Sequence, residues 1–315
     1  MLRTVVIAAI AIAVTTPNIG HVQNSTSDGQ KAVLVTGAST GIGRKLTERL
    51  AAHGYFVYAT ARKESDLQAL AAIKNVQGLR LDVTHPDEIA AAVETVTKGG
   101  RGLYALVNNA GIASAAPLLD TSPEEFASMM AVNVTGPWLM TKAFAPLIVA
   151  AKGRIINIGS ISGLLSEPNI GPYQMSKAAV ETFTDVLARE LAPSGVQVSL
   201  VEPGSYNSDI LRNAVKRAGL NANIADRSKL KEPDEVAAAT EAALFESHPK
   251  RRYMVVPNAQ SADITIRAQL EKLVQVNEGQ PYTYDRAALI RKLDEALAGA
   301  RPMQPAAAGA PPTRN

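Results

Sequence analysis

The stretch from Lys31 to Ala51 constrains the chain most. An apolar run, Lys31 to Val35, leads directly into Thr36-Gly37-Ala38-Ser39-Thr40-Gly41-Ile42-Gly43. Beyond it Ile42, Leu46, Leu50 and Ala51 share one helical face, and Gly54 stands just past them. Strand, glycine-rich turn and helix in that order make a place where a backbone can cradle a phosphate. Glycine admits the pyrophosphate closely, and the free N–H groups and dipole of the helix start attract its charge. The spacing is G-x-x-x-G-x-G rather than G-x-G-x-x-G, so the turn read alone is equally a structural one.

The alternation then continues. A strand is expected at Tyr55–Thr60, a helix at Glu64–Ile73, a strand at Val76–Leu81, a helix at Pro86–Val96 and a strand at Leu103–Val107. Ser122-Pro123-Glu124-Glu125 starts a long helical stretch that Gly136-Pro137 should kink. Further strands are expected at Arg154–Ile158, Val196–Val201 and Tyr253–Val256, with a helix from Tyr173 to Leu191 and others at Ser208–Ala218 and Pro233–Phe245. Such alternation predicts an α/β fold, a doubly wound parallel sheet of about seven strands with helices on both faces. Right-handed crossovers put all the strand ends on one edge, where Gly37, Arg62, Asp82 and Asn109 fall.

Given that turn upstream, two further features carry chemical information. Arg62 follows the second strand where enzymes that use NAD hold a carboxylate for the ribose. A guanidinium there pairs with a 2′-phosphate, so NADP is expected over NAD. Tyr173 and Lys177 are four residues apart at a helix start, so both project from one face. A fixed positive charge favours phenolate, which makes the two a candidate acid/base pair.

Composition closes off other chemistries. The 315 residues are 46% hydrophobic with a net charge of +3 that is spread along the chain, which gives no reason to expect nucleic acid as a partner. There is no cysteine, so disulfides, thiol catalysis and Cys-ligated zinc are excluded. His21, His53, His85 and His248 lie in no metal-ligand pattern, and no metal is expected.

With these pieces in place the chain resembles the short-chain dehydrogenase/reductase family over residues 31–257, most of all its NADP-preferring members acting on steroids, retinoids and other carbonyls. Thr36-Gly37-x-x-x-Gly41-x-Gly43 matches the cofactor turn, and Asn108-Asn109-Ala110-Gly111 a sheet-stabilising motif. Ser160 lies thirteen residues and Asn133 forty residues before Tyr173, as the family's catalytic serine and asparagine do. The resemblance implies a Rossmann-type domain that interconverts a ketone or aldehyde and an alcohol by hydride transfer. It implies that Tyr173 is the general acid/base, that Lys177 bonds the nicotinamide ribose and lowers the Tyr173 pKa, that Ser160 bonds the substrate oxygen, and that Asn133 holds a water leading to Lys177. It places cofactor contacts at Gly37, Ser39, Thr40, Gly41, Ile42, Gly43, Arg62, Asp82, Val83, Asn109, Ala110, Gly111, Tyr173, Lys177, Pro203, Gly204 and Ser208. Tyr206 departs from the family's small aliphatic residue and narrows the nicotinamide pocket or forms a substrate wall. A non-catalytic NADP-binding redox sensor of the same fold is the alternative, disfavoured by the presence of Ser160, Tyr173 and Lys177.

Substrate walls are expected from Leu164 to Pro172 and from Tyr206 to Lys229, with Leu164, Leu165, Ile170, Tyr206, Ile210 and Leu211 making them apolar and suited to an apolar carbonyl or alcohol. The family's habits imply a homo-oligomer through the helices around Asn133 and Tyr173. Residues 258–300 read as a helical extension, Ala262–Val276 and Tyr284–Leu297, and residues 301–315 as a Pro/Ala-rich disordered tail. In residues 1–30, Arg3 precedes an apolar run, Thr4 to Val14, too short for the roughly 17 residues that span a bilayer as a helix. That order fits a secretory signal, with export or membrane association, and equally a disordered tail or a mis-set start. The supply of cofactor favours the cytoplasm.

Overall fold

The computed structural model describes residues 29–113, 115–217 and 229–299. The signal-like segment, the C-terminal tail and part of the expected wall between Tyr206 and Lys229 lie outside the described residues, as does the side chain of Leu211. Seven strands form one sheet: β1 (Ala32–Val35), β2 (Phe56–Ala61), β3 (Val76–Arg80), β4 (Ala105–Asn108), β5 (Arg154–Ile158), β6 (Gln197–Pro203) and β7 (Arg252–Val255). Their order is β3-β2-β1-β4-β5-β6-β7, and every pairing is parallel. The connections reverse direction between β1 and β4, so a crevice opens above those two strand ends.

The period of two within each strand builds two cores. Val33 and Val35 of β1, Ala105 and Val107 of β4, and Ile156 and Ile158 of β5 face one side. There they meet Leu46 and Leu50 of α1 (Gly41–Ala52), Leu70 of α2 (Glu64–Ala71), and Val236 and Leu244 from the helix Asp234–Phe245. Leu34, Leu106 and Ile155 face the other side, against α3 (Pro86–Lys98), α5 (Gly136–Ala150) and α6 (Gly171–Leu191). Phe144 and Ile148 are fully buried there, each stabilising the fold by about 1.5–3 kcal/mol. A strand buried on both faces reads as a near-continuous apolar run, as β1 does; β4 and β5 also bury Asn108, Arg154 and Asn157, and Asn108 Nδ2 donates to Asn157 Oδ1 at 2.9 Å.

The long helical stretch is divided. α4 (Pro123–Met130) starts at Ser122, whose hydroxyl accepts from Glu125 N at 3.1 Å. A π-helical turn, Ala131–Thr135, then joins it to α5, so the expected kink is an inserted residue rather than a proline bend. After β6 come α7 (Asp209–Arg217), α8 (Asp234–Phe245), α9 (Ala259–Asn277) and α10 (Arg286–Gly299). Thr265 is the buried residue of α9, and α10 buries none. Gln269 Nε2 and Lys272 Nζ of α9 both donate to the carbonyl of Leu164, at 2.6 and 2.8 Å. Among the described residues no helix is long and apolar enough to cross a membrane.

Candidate active site

A cleft with a cavity volume of about 270 Å³ lies over the crevice between β1 and β4. Its floor begins at the glycine turn. Gly37 and Gly41 have φ of +65° and +57°, the left-handed region that glycine enters without penalty. A Cβ on Gly37 would sit 2.8 Å from Ala110 Cα. Thr36 and Asn109 fasten the ends of β1 and β4 together: the N–H groups of Asn109 and Ala110 each donate to Thr36 Oγ1 at 2.9 Å, and Asn109 Nδ2 donates to the carbonyls of Thr36 and Gly37. Thr40, at the N-cap of α1, makes no side-chain cap bond, and the first turn holds no acidic residue. The N–H groups and dipole of that turn are thus oriented for an anion.

Ser39, Thr40, Gly41, Ile42, Arg62, Asp82, Val83, Asn109, Ala110, Gly111, Pro203, Gly204 and Ser208 all line this cleft with Gly37. Gly43 does not line it. It packs α1 against the turn, where a Cβ would meet Gly37 O and Asn109 Nδ2, both at 2.4 Å. Arg62 stands at the rim, 69% exposed, with Nη1 3.4 Å from Asp82 Oδ2. Burial pushes the Asp82 carboxyl up, but bonds from Thr84 and Arg62 outweigh it and hold it below the usual range.

Ser160, Tyr173 and Lys177 close the far end of the same cleft. Ser160 sits just beyond β5, with its hydroxyl accepting from Ser162 N at 3.1 Å and donating to Pro203 O at 3.4 Å. Tyr173 is in the first turn of α6, and Lys177 follows one turn later with its ammonium donating to Ile158 O at 2.8 Å. Burial pushes Lys177 down to about 8, with the Glu181 charge opposing. Burial also pushes the Tyr173 phenol up, and Ser160 offsets part of that rise. The expected lowering by Lys177 is not realised: burial shifts the phenol up, and the ammonium, 5.7 Å from the ring centroid, is engaged by Ile158.

Asn133 is buried in the π-helical turn. Its Oδ1 accepts from Ile112 N at 2.8 Å, and its Nδ2 donates to Ile112 O at 2.8 Å and Ser176 Oγ at 2.9 Å. The amide therefore ties the segment following Asn109-Ala110-Gly111 to α6. The π turn is what aims it inward.

A second cavity of about 210 Å³ adjoins the first. Ser160, Tyr173, Gly204, Tyr206, Ser208 and Ile210 line both, so they mark where the two meet. Leu165, Tyr206 and Ile210 line it as expected, whereas Leu164 and Ile170 are not among its lining residues. Ser162, Ser205 and Ser261 add hydroxyls that the expected apolar wall did not include, and Ile264 of α9 adds a side from beyond residue 257. Tyr206 belongs to both walls, and its hydroxyl donates to Glu235 Oε2 at 2.7 Å. Burial and that carboxylate push its phenol far up, so Tyr206 stays neutral.

The family model described as short chain dehydrogenase matches residues 31–219, more than half of the chain. The chain belongs to the short-chain dehydrogenase family. It is similar to the mitochondrial D-beta-hydroxybutyrate dehydrogenase of Rattus norvegicus, 38% identical over 186 residues, which are 56% of this chain and 54% of that one. The chain thus spans about half the length of the first curated relatives it matches. Two solved structures cover most of it. A short chain dehydrogenase from Burkholderia cenocepacia in complex with NADP is 27% identical, with a TM-score of 0.66 over 80% of this chain and 98% of that one. A short chain dehydrogenase/reductase from Burkholderia phymatum in complex with NAD is 26% identical, with a TM-score of 0.68 over 81% and 98%. The family is one of oxidoreductases with a nicotinamide dinucleotide as cofactor, and the cleft fits one: Gly37 and Gly41 with positive φ, an uncapped helix start and the Arg62 guanidinium all border it.

Proposed function

We propose that the chain is an NADP(H)-dependent oxidoreductase that interconverts a ketone or aldehyde and an alcohol. The observation that carries this reading is the position of Ser160 and Tyr173 at the junction of the two cavities, with Lys177 one turn behind them. One cavity runs back to the glycine turn and Arg62, and the other opens toward α9. Residues 31–257 act as the catalytic domain in this reading, and 258–300 as an extension that helps enclose the substrate.

The turn residues Gly37 to Ile42 would hold the pyrophosphate, with Gly43 fixing the turn from behind. Arg62 would exchange its long contact with Asp82 for the 2′-phosphate, a bidentate and charge-assisted pairing. Asp82, Val83, Asn109, Ala110 and Gly111 would line the adenosine and its ribose, and Pro203, Gly204 and Ser208 the nicotinamide. A bound nicotinamide supplies or accepts the hydride, and the protein supplies geometry and proton transfer. Ser160 donates a hydrogen bond to the substrate oxygen as charge develops there. Tyr173 gives its proton to that oxygen in reduction and takes it back in oxidation. Lys177 places a positive charge behind the phenol and a donor toward the ribose. Asn133 acts as a positioning residue by fixing Ile112 and Ser176.

A medium-sized carbonyl with some polar substituents suits the serine-lined second cavity better than a wholly apolar one. A homo-oligomer is part of the proposal: Trp138 of α5 and Met175 and Val186 of α6 are about half exposed. The test is a carbonyl and alcohol panel followed by NADPH absorbance, with NADH in parallel. Turnover of neutral carbonyls with NADPH preferred is expected. Turnover restricted to small charged substrates, or NADH preferred, contradicts the reading.

A further inference from the structure

Behind the catalytic helix lies a cluster of ionisable groups with no task in the scheme above. Glu181 stands one helical turn after Lys177 on α6 and is buried, as is Glu202 near the end of β6. Arg252 of β7 reaches both. Its Nη1 donates to Glu181 Oε2 and lies 3.8 Å from Glu202 Oε2, and its Nη2 donates to Asp185 Oδ2 at 2.6 Å. One guanidinium therefore faces three carboxyl groups.

Glu181 Oε1 and Glu202 Oε1 are buried, and among the described residues no N–H or hydroxyl group donates to either. Both carboxyls share Arg252 Nη1, so they lie close together in the interior. Like charges crowded against one guanidinium disfavour each other's ionisation when buried, and a carboxyl that keeps its proton can donate to a carboxylate beside it. A single proton held by the pair would give both unpartnered oxygens a role and leave one charge against Arg252, and such a pair titrates as a unit. Burial and the Glu181 charge push Glu202 up, which makes Glu202 the better holder of that proton. Burial pushes Glu181 up as well, but Arg252 opposes it directly.

The remaining charge is placed beside the catalytic lysine. A Cβ on Gly159 would lie 3.5 Å from Glu181 Oε1, and the carbonyl of the preceding Ile158 accepts from Lys177 Nζ at 2.8 Å. Glu181 and Lys177 thus flank the same end of β5. The charged groups around Glu181 are Lys177 and Asp185 on its own helix, Glu202 on β6 and Arg252 on β7, while β5 ends in the uncharged Ile158-Gly159.

We propose that Glu181 is a positioning residue that keeps Lys177 an ammonium across the end of β5, and that Glu202 holds the proton that lets a single carboxylate remain there. The proposal rests on the reading of Tyr173 and Lys177 as the proton-transfer pair. A buried ammonium is disfavoured without a counter-charge, and Glu181 is the group that raises Lys177 against burial.

The test uses the full chain with Glu181→Gln and Glu202→Gln. The Lys177 titration is followed by NMR of ¹³C-labelled lysine, assigned with Lys177→Arg, and the pH profile of carbonyl reduction is recorded beside it. Glu181→Gln should move the Lys177 midpoint and the alkaline limb of the profile down, on the order of half a unit or more. Glu202→Gln, whose amide still donates to Glu181, should leave both in place and remove a protonated-carboxyl infrared band at neutral pH. An unmoved midpoint in folded Glu181→Gln overturns the proposal, as does an equal displacement in Glu202→Gln. If Glu181→Gln does not fold, Glu202→Gln decides: a persisting band or a displaced midpoint overturns it. Absence of any turnover in the wild type would instead count against the proposed activity, and the NMR titration would still read the effect of Glu181.

Discussion

Gly43→Ala tests how the cofactor turn is held. The added methyl would sit 2.4 Å from both Gly37 O and Asn109 Nδ2, about 1 Å inside normal contact. Neither atom is a free side-chain tip. Gly37 O is main chain in a turn with φ of +65°, and it accepts from Asn109 Nδ2 at 3.1 Å. The same Nδ2 donates to Thr36 O at 2.8 Å. To admit the methyl, the Asn109 amide has to leave both carbonyls or the start of α1 has to lift off the turn. Two hydrogen bonds at about 1 kcal/mol each, with about 1–3 kcal/mol for overpacking, give a loss of about 3–5 kcal/mol. For a folded part of this size that corresponds to a fall of roughly 5–10 °C in Tm. Gly54→Ala is the control, since a Cβ there meets nothing within 4 Å and only its φ of +85° resists the change. Thermal and urea melts should place Gly43→Ala well below Gly54→Ala, and the stabilisation by NADPH should shrink as the turn shifts. A Gly43→Ala protein melting within about one degree of wild type would show that the turn is not packed as described.

Arg62→Ala should raise KM for NADPH by about 10- to 100-fold, the worth of a charge-assisted bond, and leave KM for NADH nearly unchanged in steady-state assays. Lys177, pushed down to about 8, should set an alkaline limb near that pH in kcat/KM for the free enzyme. Its folded pKa lies below its unfolded value, so between about 8 and the ordinary lysine range the unfolded chain binds more protons. Stability contributed by this group therefore rises with pH over that window while activity falls, and urea melts of wild type against Lys177→Met should show the difference closing as pH rises. Ile264→Trp should fill the second cavity and raise KM for bulky carbonyls about tenfold or more, with KM for NADPH unchanged.

Much of the architecture was legible because the local signals agree with the global fold. Val33 and Val35 face one core and Leu34 the other, so β1 had to be apolar throughout, and it reads that way. Gly37 and Gly41 are in the left-handed region that the turn demands. The break around Gly136-Pro137 was visible, but a sequence does not separate a proline bend from the π turn that buries Asn133. Gly43 shows the limit of motif reading: it belongs to the cofactor motif yet supports the turn from behind. The wall made by α9 carried no local signal. It depends on Gln269 and Lys272 meeting Leu164, 105 and 108 residues away in the chain. That docking uses the Leu164 carbonyl, in a loop whose side chain had been expected in the wall. The Glu181, Glu202 and Arg252 cluster likewise assembles from three elements, and each residue alone reads as ordinary surface charge.

Tyr173→Phe removes one hydroxyl from the junction of the two cavities and leaves the turn, Arg62 and Lys177 in place. Turnover of the best carbonyl in the panel should fall by about 10²-fold or more, the usual worth of a general acid, while NADPH titrated by its fluorescence binds as tightly as to wild type. Undiminished turnover with normal NADPH binding would contradict the assignment of Tyr173 as the group that carries the proton.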